Sequence, residues 1–169
     1  MIIGMCGYAG SGKDAAAKAL RERGFTRVAF ADELKDELAE VFGLTLQELE
    51  DNKEEWRPLL VEWGRARRRQ DPAYWIKKAS LTVDLIEGSA LGAQHIVVTD
   101  VRYPNEAKWL WERNGLLVRI ERPGVGPAND EEATTIAEID KIATRQTFWL
   151  KNDGSLEDLH NKMTWGNLP

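Results

Sequence analysis

GYAGSGKD, residues 7–14, follows the apolar run Ile2 to Cys6 and leads into an alanine-rich stretch. A short buried strand, a glycine loop and a helix start, in that order, form the setting in which G-x-x-x-x-G-K-[ST] holds phosphate. The glycines let backbone amides turn inward around phosphate oxygens, and the helix N-terminus adds partial positive charge. Gly7, Ala9, Gly10, Ser11 and Gly12 are the candidate cradle, with Lys13 reaching the terminal phosphates. The last position departs from the pattern, because Asp14 stands where a hydroxyl normally serves a magnesium ion. A carboxylate is a hard oxygen donor and serves Mg2+ directly or through water. It is also an acid that the first turn of a helix favours through its dipole.

Around the loop the chain alternates strand and helix signals. Gly12 to Arg23 reads as a helix stopped by Gly24, and Thr26 to Phe30 as a second strand. Asp32 caps a helix to Phe42, and Thr45 with Glu48 forms a capping box for the next. Trp56 to Arg67 is helical in pattern, and Asp71-Pro72 starts a helix reaching Glu87. His95 to Thr99, Leu116 to Ile120 and Thr147 to Leu150 are the remaining strands. A helix opens at Pro104-Asn105, and Ser155 caps the last one. Such alternation implies an α/β fold whose parallel sheet is covered on both faces and binds ligands beyond the carboxyl ends of its strands. The informative residues are then Gly7 to Asp14, Ala31 to Lys35, Asp100 to Arg102, Glu121 to Arg122 and Asn152 to Gly154.

A length of 169 residues suits one domain. The charge of 23 basic against 28 acidic residues, −5, argues against stable nucleic-acid binding, which wants a basic surface. The single cysteine, Cys6, forms no internal disulfide and points to a reducing interior. MIIGMCGYAG lacks a basic leader region, and no apolar run is long enough for a membrane, so a cytoplasmic location is expected. His95 and His160 are the only histidines, and no Ser-His-Asp arrangement stands out.

A second anion pocket has candidates too. WGRARRRQDPAYW, residues 63–75, concentrates Arg65, Arg67, Arg68 and Arg69 in an otherwise acidic chain, and Arg102 follows Asp100 past the third strand. A planar, permanently charged guanidinium suits phosphate. A solvated helix end explains the run equally well, although four like charges cannot all share one direction on a helix. Asp100 closes an apolar strand and reads as a magnesium-linked acid, a general base, a partner for Arg102 or a turn cap. Trp56, Trp63, Tyr74 and Trp75 lie along apolar faces and read as core, with Trp75 or Phe30 also able to stack on a base.

GYAGSGKD, FADELK at 30–35, WG-x-x-x-R with DPAYW at 63–75, VVTDVRYPNEA at 97–107 and NDGSLEDL at 152–159 together resemble the deoxynucleoside monophosphate kinases of bacteriophages, nearly end to end. The resemblance implies a P-loop kinase with a three-layer α/β fold and a five-stranded, mostly parallel sheet. It implies a single domain over 1–169, with a helical acceptor-binding region at about 31–90 and a lid-like segment at about 121–145. The implied reaction moves the γ-phosphoryl of ATP to a deoxynucleoside 5'-monophosphate with Mg2+. Gly7 to Asp14 would hold the ATP phosphates, with Asp14 and Asp100 at the metal and Lys13, Asp100 and Arg102 catalytic. Phe30, Asp32, Lys35, Arg65, Arg68, Trp75 and Arg102 would bind the acceptor. Asn152, Asp153 and Gly154 would lie against the adenine, and Arg122 and Arg145 would be lid cations. A phage origin would place the protein in the host cytoplasm, and the tryptophan-rich insert suggests a homodimer. Two departures stand out: Glu62 replaces a glutamine before the Trp-Gly pair, and the lid-like segment is acidic at its centre. The final loop is also similar to that of dephospho-coenzyme A kinases, and the G-K-D ending to animal phosphomevalonate kinases. A nucleotide-dependent switch without an acceptor is the reading outside the kinases.

Overall fold

Alternate residues of the first strand, β1 (Ile2–Cys6), enter different cores: Ile2 and Cys6 face one cluster, Ile3 and Met5 the other. A strand buried on both faces belongs at the centre of a sheet. In the computed structural model, which describes residues 1–89 and 95–164, β1 is that central strand. The other strands are β2 (Thr26–Val28), β3 (Ile96–Val98), β4 (Leu116–Glu121) and β5 (Thr147–Lys151). Their order is β2-β3-β1-β4-β5, and every pairing is parallel. Ile2 lies opposite Ile96 on one side, and Ile3 opposite Leu116 on the other.

One face carries α1 (Lys13–Arg21) and α8 (Leu156–Lys162), whose Ala16, Leu20 and Leu159 pack on Ile3, Met5 and Val118. The opposite face carries α5 (Tyr74–Glu87), α6 (Pro104–Glu112) and α7 (Asp130–Lys141). Helix α6 sits so close that a Cβ at Gly4 would fall 2.5 Å from Leu110 Cδ2. Between β2 and β3 the insert also holds α2 (Phe30–Phe42), α3 (Leu46–Asp51) and α4 (Lys53–Gln70), which share a small core of Leu38, Ala39 and Leu49. Residue 90 of the expected insert and the last five residues of the chain lie outside the described residues. Of the four aromatics read as core, Trp75 is buried, while Trp56, Trp63 and Tyr74 are half-buried and packed against the two clusters of the insert side. No helix among the described residues is long and apolar enough to cross a membrane.

The second strand stops at Val28 rather than Phe30, because Phe30 opens α2. Ala29 is the N-cap residue and has no capping side chain of its own. The orphan amides of Phe30 and Ala31 donate instead to Asp100 Oδ1 and Oδ2, both at 2.9 Å. Asp32 is therefore a first-turn acid and not the cap, and it pairs with Arg27.

Glu37 ties the insert together. Its Oε1 accepts from Trp63 Nε1 at 2.9 Å and Arg67 Nε at 2.7 Å, and its Oε2 from Tyr74 Oη at 2.6 Å and Lys78 Nζ at 2.7 Å. Burial alone would raise this carboxyl, but the bonds from Lys78, Tyr74, Trp63 and Arg67 outweigh it and hold the group at about 2. A depressed carboxyl contributes stability above its unfolded value and loses it as pH falls through the folded value. Glu37→Gln is expected to cost about 2–3 kcal/mol at neutral pH, a discounted conversion of that depression. Urea titrations of both proteins should show the difference shrinking between about pH 4.5 and about pH 2, the window set by the unfolded and folded carboxyl. A difference independent of pH would remove Glu37 as the ionised hub.

Candidate active site

The glycine loop runs from β1 to α1 with Gly7 at φ 150°, Gly10 at 77° and Gly12 at 106°, conformations that L side chains rarely adopt. Two of these glycines are also needed for space. A Cβ at Gly7 would lie 2.4 Å from the Ile120 carbonyl, and one at Gly12 would lie 2.5 Å from Asn152 Nδ2. Nothing lies within 4 Å of a Cβ at Gly10, so the loop is open at its crest. Lys13 Nζ donates to the carbonyls of Gly7 at 2.7 Å and Tyr8 at 2.8 Å, folding the ammonium back over the loop. Burial lowers the Lys13 pKa, and the charge of Arg102 lowers it further. Ser11 Oγ is buried with no hydrogen-bond partner among the described residues. Open crest, folded-back lysine and unused hydroxyl fit the phosphates of a nucleotide.

The loop forms one end of a cavity of about 380 Å3. Gly7 and Ala9 meet Phe30, Ala31 and Leu34 from the start of α2. Leu60, Val61, Gly64, Arg65 and Arg68 of α4 form a second wall. Asp100, Arg102 and Tyr103 come from the segment after β3, Glu106 from α6, and Glu131, Glu132 and Ile136 from α7. A more open hollow of about 690 Å3, beside Lys18, Arg21 and Arg27, touches none of the glycine loop.

Phe30, Arg65, Arg68, Trp75, Asp100 and Arg102 thus converge on one cleft with the loop. Arg68 lies over the Tyr103 ring, 4.2 Å from its centroid, and 3.7 Å from Glu106. Arg102 is exposed and makes no ion pair with a described residue. Of the remaining arginines in the run, Arg67 goes to Glu37 and Arg69 is exposed. Trp75 is 2% exposed and donates to the Gly64 carbonyl, so it is a wall of the cleft more than a free stacking surface. Asp14 is exposed on the first turn of α1, and Asp100 spends one lone pair of each oxygen on α2. Burial raises the Asp100 carboxyl, and the two amides oppose that. No three Asp, Glu, His or Cys side chains among the described residues form a metal cage. Magnesium does not need one, since it is usually held by one or two carboxylates with substrate phosphates and water. Both acids are the right kind of donor, with Asp100 lining the cleft and Asp14 outside that lining on the exposed start of α1.

Other expected site residues point elsewhere in this structure. Asp32 pairs with Arg27 and Lys35 with Glu50, and neither lines the cavity. Arg122 and Arg145 do not line it either, and acids of α7 occupy the lid position. Asn152 is buried and donates to the Ser11 carbonyl at 2.8 Å, which makes it a brace of the glycine loop. Asp153 pairs with Lys151 and Lys162, and Gly154 makes room for Asp158 beside the Ser155 cap. Glu106 was not singled out by the sequence. Its Oε2 accepts from the amides of Arg102 at 2.7 Å and Tyr103 at 3.0 Å, and burial pushes it up to about 7. Its sequence signals are its place in the motif VVTDVRYPNEA and three residues after Tyr103, the spacing of a capping box.

A parallel sheet with a phosphate loop after its central strand, facing a second cationic wall across one cleft, defines a P-loop kinase for a nucleotide or another small molecule. The chain belongs to the phosphomevalonate kinase family, whose model matches residues 5–115. A protein of Acanthamoeba polyphaga mimivirus, described as "Putative deoxynucleotide monophosphate kinase", is 26% identical over 96% of this chain and 94% of its own. Among solved structures, a dephospho-CoA kinase from Campylobacter jejuni is 14% identical, with a TM-score of 0.48 over 96% of this chain and 92% of that one. A protein from Thermus thermophilus is 20% identical, with a TM-score of 0.47 over 94% and 92%.

Asn152→Ala should separate a brace from a base contact. Loss of one buried hydrogen bond should cost about 1–2 kcal/mol in urea unfolding. Binding of Mg·ATP and Mg·GTP should weaken by the same factor, because the loop serves phosphates common to both. A loss confined to ATP would place Asn152 against the adenine.

Proposed function

We propose that this chain transfers the γ-phosphoryl of ATP to a deoxynucleoside 5'-monophosphate, giving the diphosphate, with Mg2+ at Asp14 and Asp100. The observation that carries the reading is a single cavity with an anion holder at each end and apolar walls between them. Gly7 and Ala9 of the loop, with Lys13 folded back onto the Gly7 carbonyl behind them, supply one holder, and Arg65, Arg68 and Arg102 supply the other. Leu34, Leu60, Val61 and Ile136 leave an apolar slot beside the arginines, suited to a flat base. The deoxynucleotide part is supported by the ordered motifs and by the likeness to the mimivirus protein.

A phosphate acceptor explains the sparse acid–base equipment. Its second ionisation lies near pH 6, so the attacking oxygen is already anionic at neutral pH. A bond forms from that oxygen to the γ-phosphorus, the bond to the β–γ bridging oxygen breaks, and ADP leaves. The protein has to align the oxygens and hold charge. The positive charge of Arg102 reaches the Lys13 ammonium and, after burial, lowers its pKa. Arg68 is aimed by Tyr103 beneath it and Glu106 beside it. Bound magnesium supplies neutralisation of the phosphate oxygens.

The family match favours a second reading, a small acceptor such as phosphomevalonate. One assay of ADP release with Mg·ATP decides between them, using the four deoxynucleoside monophosphates, their ribose counterparts, phosphomevalonate and dephospho-coenzyme A. Stimulation by deoxynucleoside monophosphates is expected, and stimulation by phosphomevalonate alone would overturn the assignment. Lys13→Ala should lower kcat by about 10²–10³-fold with the fold intact, the scale for removing a donor aimed at transition-state charge. Arg102→Ala should act on acceptor KM and kcat while sparing ATP affinity. A selective loss of ATP affinity would move Arg102 to the donor side.

A further inference from the structure

Two carboxylates at the start of α7 sit on groups that phosphates would use. Glu132 Oε1 accepts from the Ala9 amide of the glycine loop at 2.9 Å, across 123 residues of sequence. Its Oε2 accepts from the Ala128 amide at 2.7 Å, and its own amide is capped by Asn129. Glu131 Oε2 accepts from Arg65 Nη2 at 2.6 Å, and its Oε1 from Tyr103 Oη at 2.6 Å. Both side chains line the same cleft as Arg68 and Arg102. The Glu131 carboxyl is held below its usual range by Tyr103 and Arg65, so it is ionised at neutral pH.

An amide hydrogen or a phenolic hydrogen makes one good hydrogen bond at a time. A carboxylate oxygen on the Ala9 amide therefore excludes a phosphate oxygen from it. A carboxylate on the Tyr103 hydroxyl excludes the acceptor phosphate from it in the same way, and on Arg65 it neutralises the guanidinium and takes one of its five hydrogens. We propose that Glu131 and Glu132 are an internal competitor of the two substrates: Glu132 holds the loop amide taken by a donor phosphate, and Glu131 holds the Arg65–Tyr103 pair taken by the acceptor phosphate. Tyr103 thereby becomes a phosphate ligand of the acceptor side. The connection before α7 is built to release the turn, since residues 122–129 form neither helix nor strand and are largely exposed, while Ile136 and Ile139 anchor the rest of α7 in the core. The inference rests on the phosphotransfer reading, because it takes the loop and the arginines as phosphate sites.

Binding in the full chain tests it without turnover. Mg·AMP-PNP probes the donor side, and each of the four deoxynucleoside monophosphates probes the acceptor side, by calorimetry. A site free in only a fraction of molecules binds more weakly by that fraction. Glu132→Gln should lower the Kd of Mg·AMP-PNP by about three- to tenfold and leave acceptor binding unchanged, the gain from raising a minor free state to full population. Glu131→Gln should do the converse. Glu132→Asp keeps the charge and the helix start but shortens the reach, and it should also tighten Mg·AMP-PNP. Unchanged or weaker binding in both Glu132 variants, with wild-type binding intact, overturns the proposal. So does an equal gain for both ligands from either glutamine variant, which would be a general field effect. A wild-type chain that binds neither AMP-PNP nor any acceptor sinks the phosphotransfer reading itself, and the competitor with it.

Discussion

The close approach of Gly7 and Gly12 to the neighbouring strands sets the shape of the loop before any ligand arrives. Gly7 lies against the Ile120 carbonyl at the end of β4, and Gly12 lies against Asn152 just past β5. Any side chain at either place would have to push backbone or a buried amide aside. The loop is therefore held from the sheet side, and its open crest at Gly10 faces away from that contact. Lys13, the start of α1 and the bond from Asn152 to Ser11 all take their positions from it. Preorganisation of this kind is what phosphoryl transfer asks of a protein, since charge must already be in place when the bond breaks.

Acids do much of the positioning in this chain of net charge −5. Asp100 starts α2, Glu106 holds the backbone of Arg102 and faces Arg68, and Glu37 gathers Arg67 and Lys78. Each tethers a segment that carries positive charge or an amide row. Acids also line the cleft itself, where Asp100, Glu106, Glu131 and Glu132 stand among Arg65, Arg68 and Arg102. Arg102 has no acid partner among the described residues and lies at the mouth of the site.

The sheet and its loop were legible because they rest on local signals: apolar runs of strand length, glycines, and caps such as Thr45 and Ser155. A solvated helix end explained the arginine run equally well, and only the resemblance picked out Arg65, Arg68 and Arg102, which the fold brings to one cleft. The partners of long side chains were not legible. Lys35 turns to Glu50 and Asp32 back to Arg27, choices set by how α2 packs and invisible in the spacing. Asp32 looked like a cap because acids favour both the cap and the first turn, and the true cap, Asp100, is 70 residues from Phe30. The lid-like segment showed its acids plainly, yet their contact with Ala9 spans 123 residues and only the fold brings it about.

The Glu37 hub has a mechanical consequence. It joins α2 to Trp63 and Arg67 on α4 and to Tyr74 and Lys78 on α5, through four bonds to one carboxylate. The helices that carry Leu34, Arg65, Arg68 and Trp75 are thus locked to one another. Helix α5 is also fixed on the sheet, with Trp75, Ile76, Ala79 and Val83 in the main core, so the hub ties α2 and α4 to the sheet through α5. One carboxylate thus sets the spacing of the three helices that bring Leu34, Arg65, Arg68 and Trp75 to the cleft.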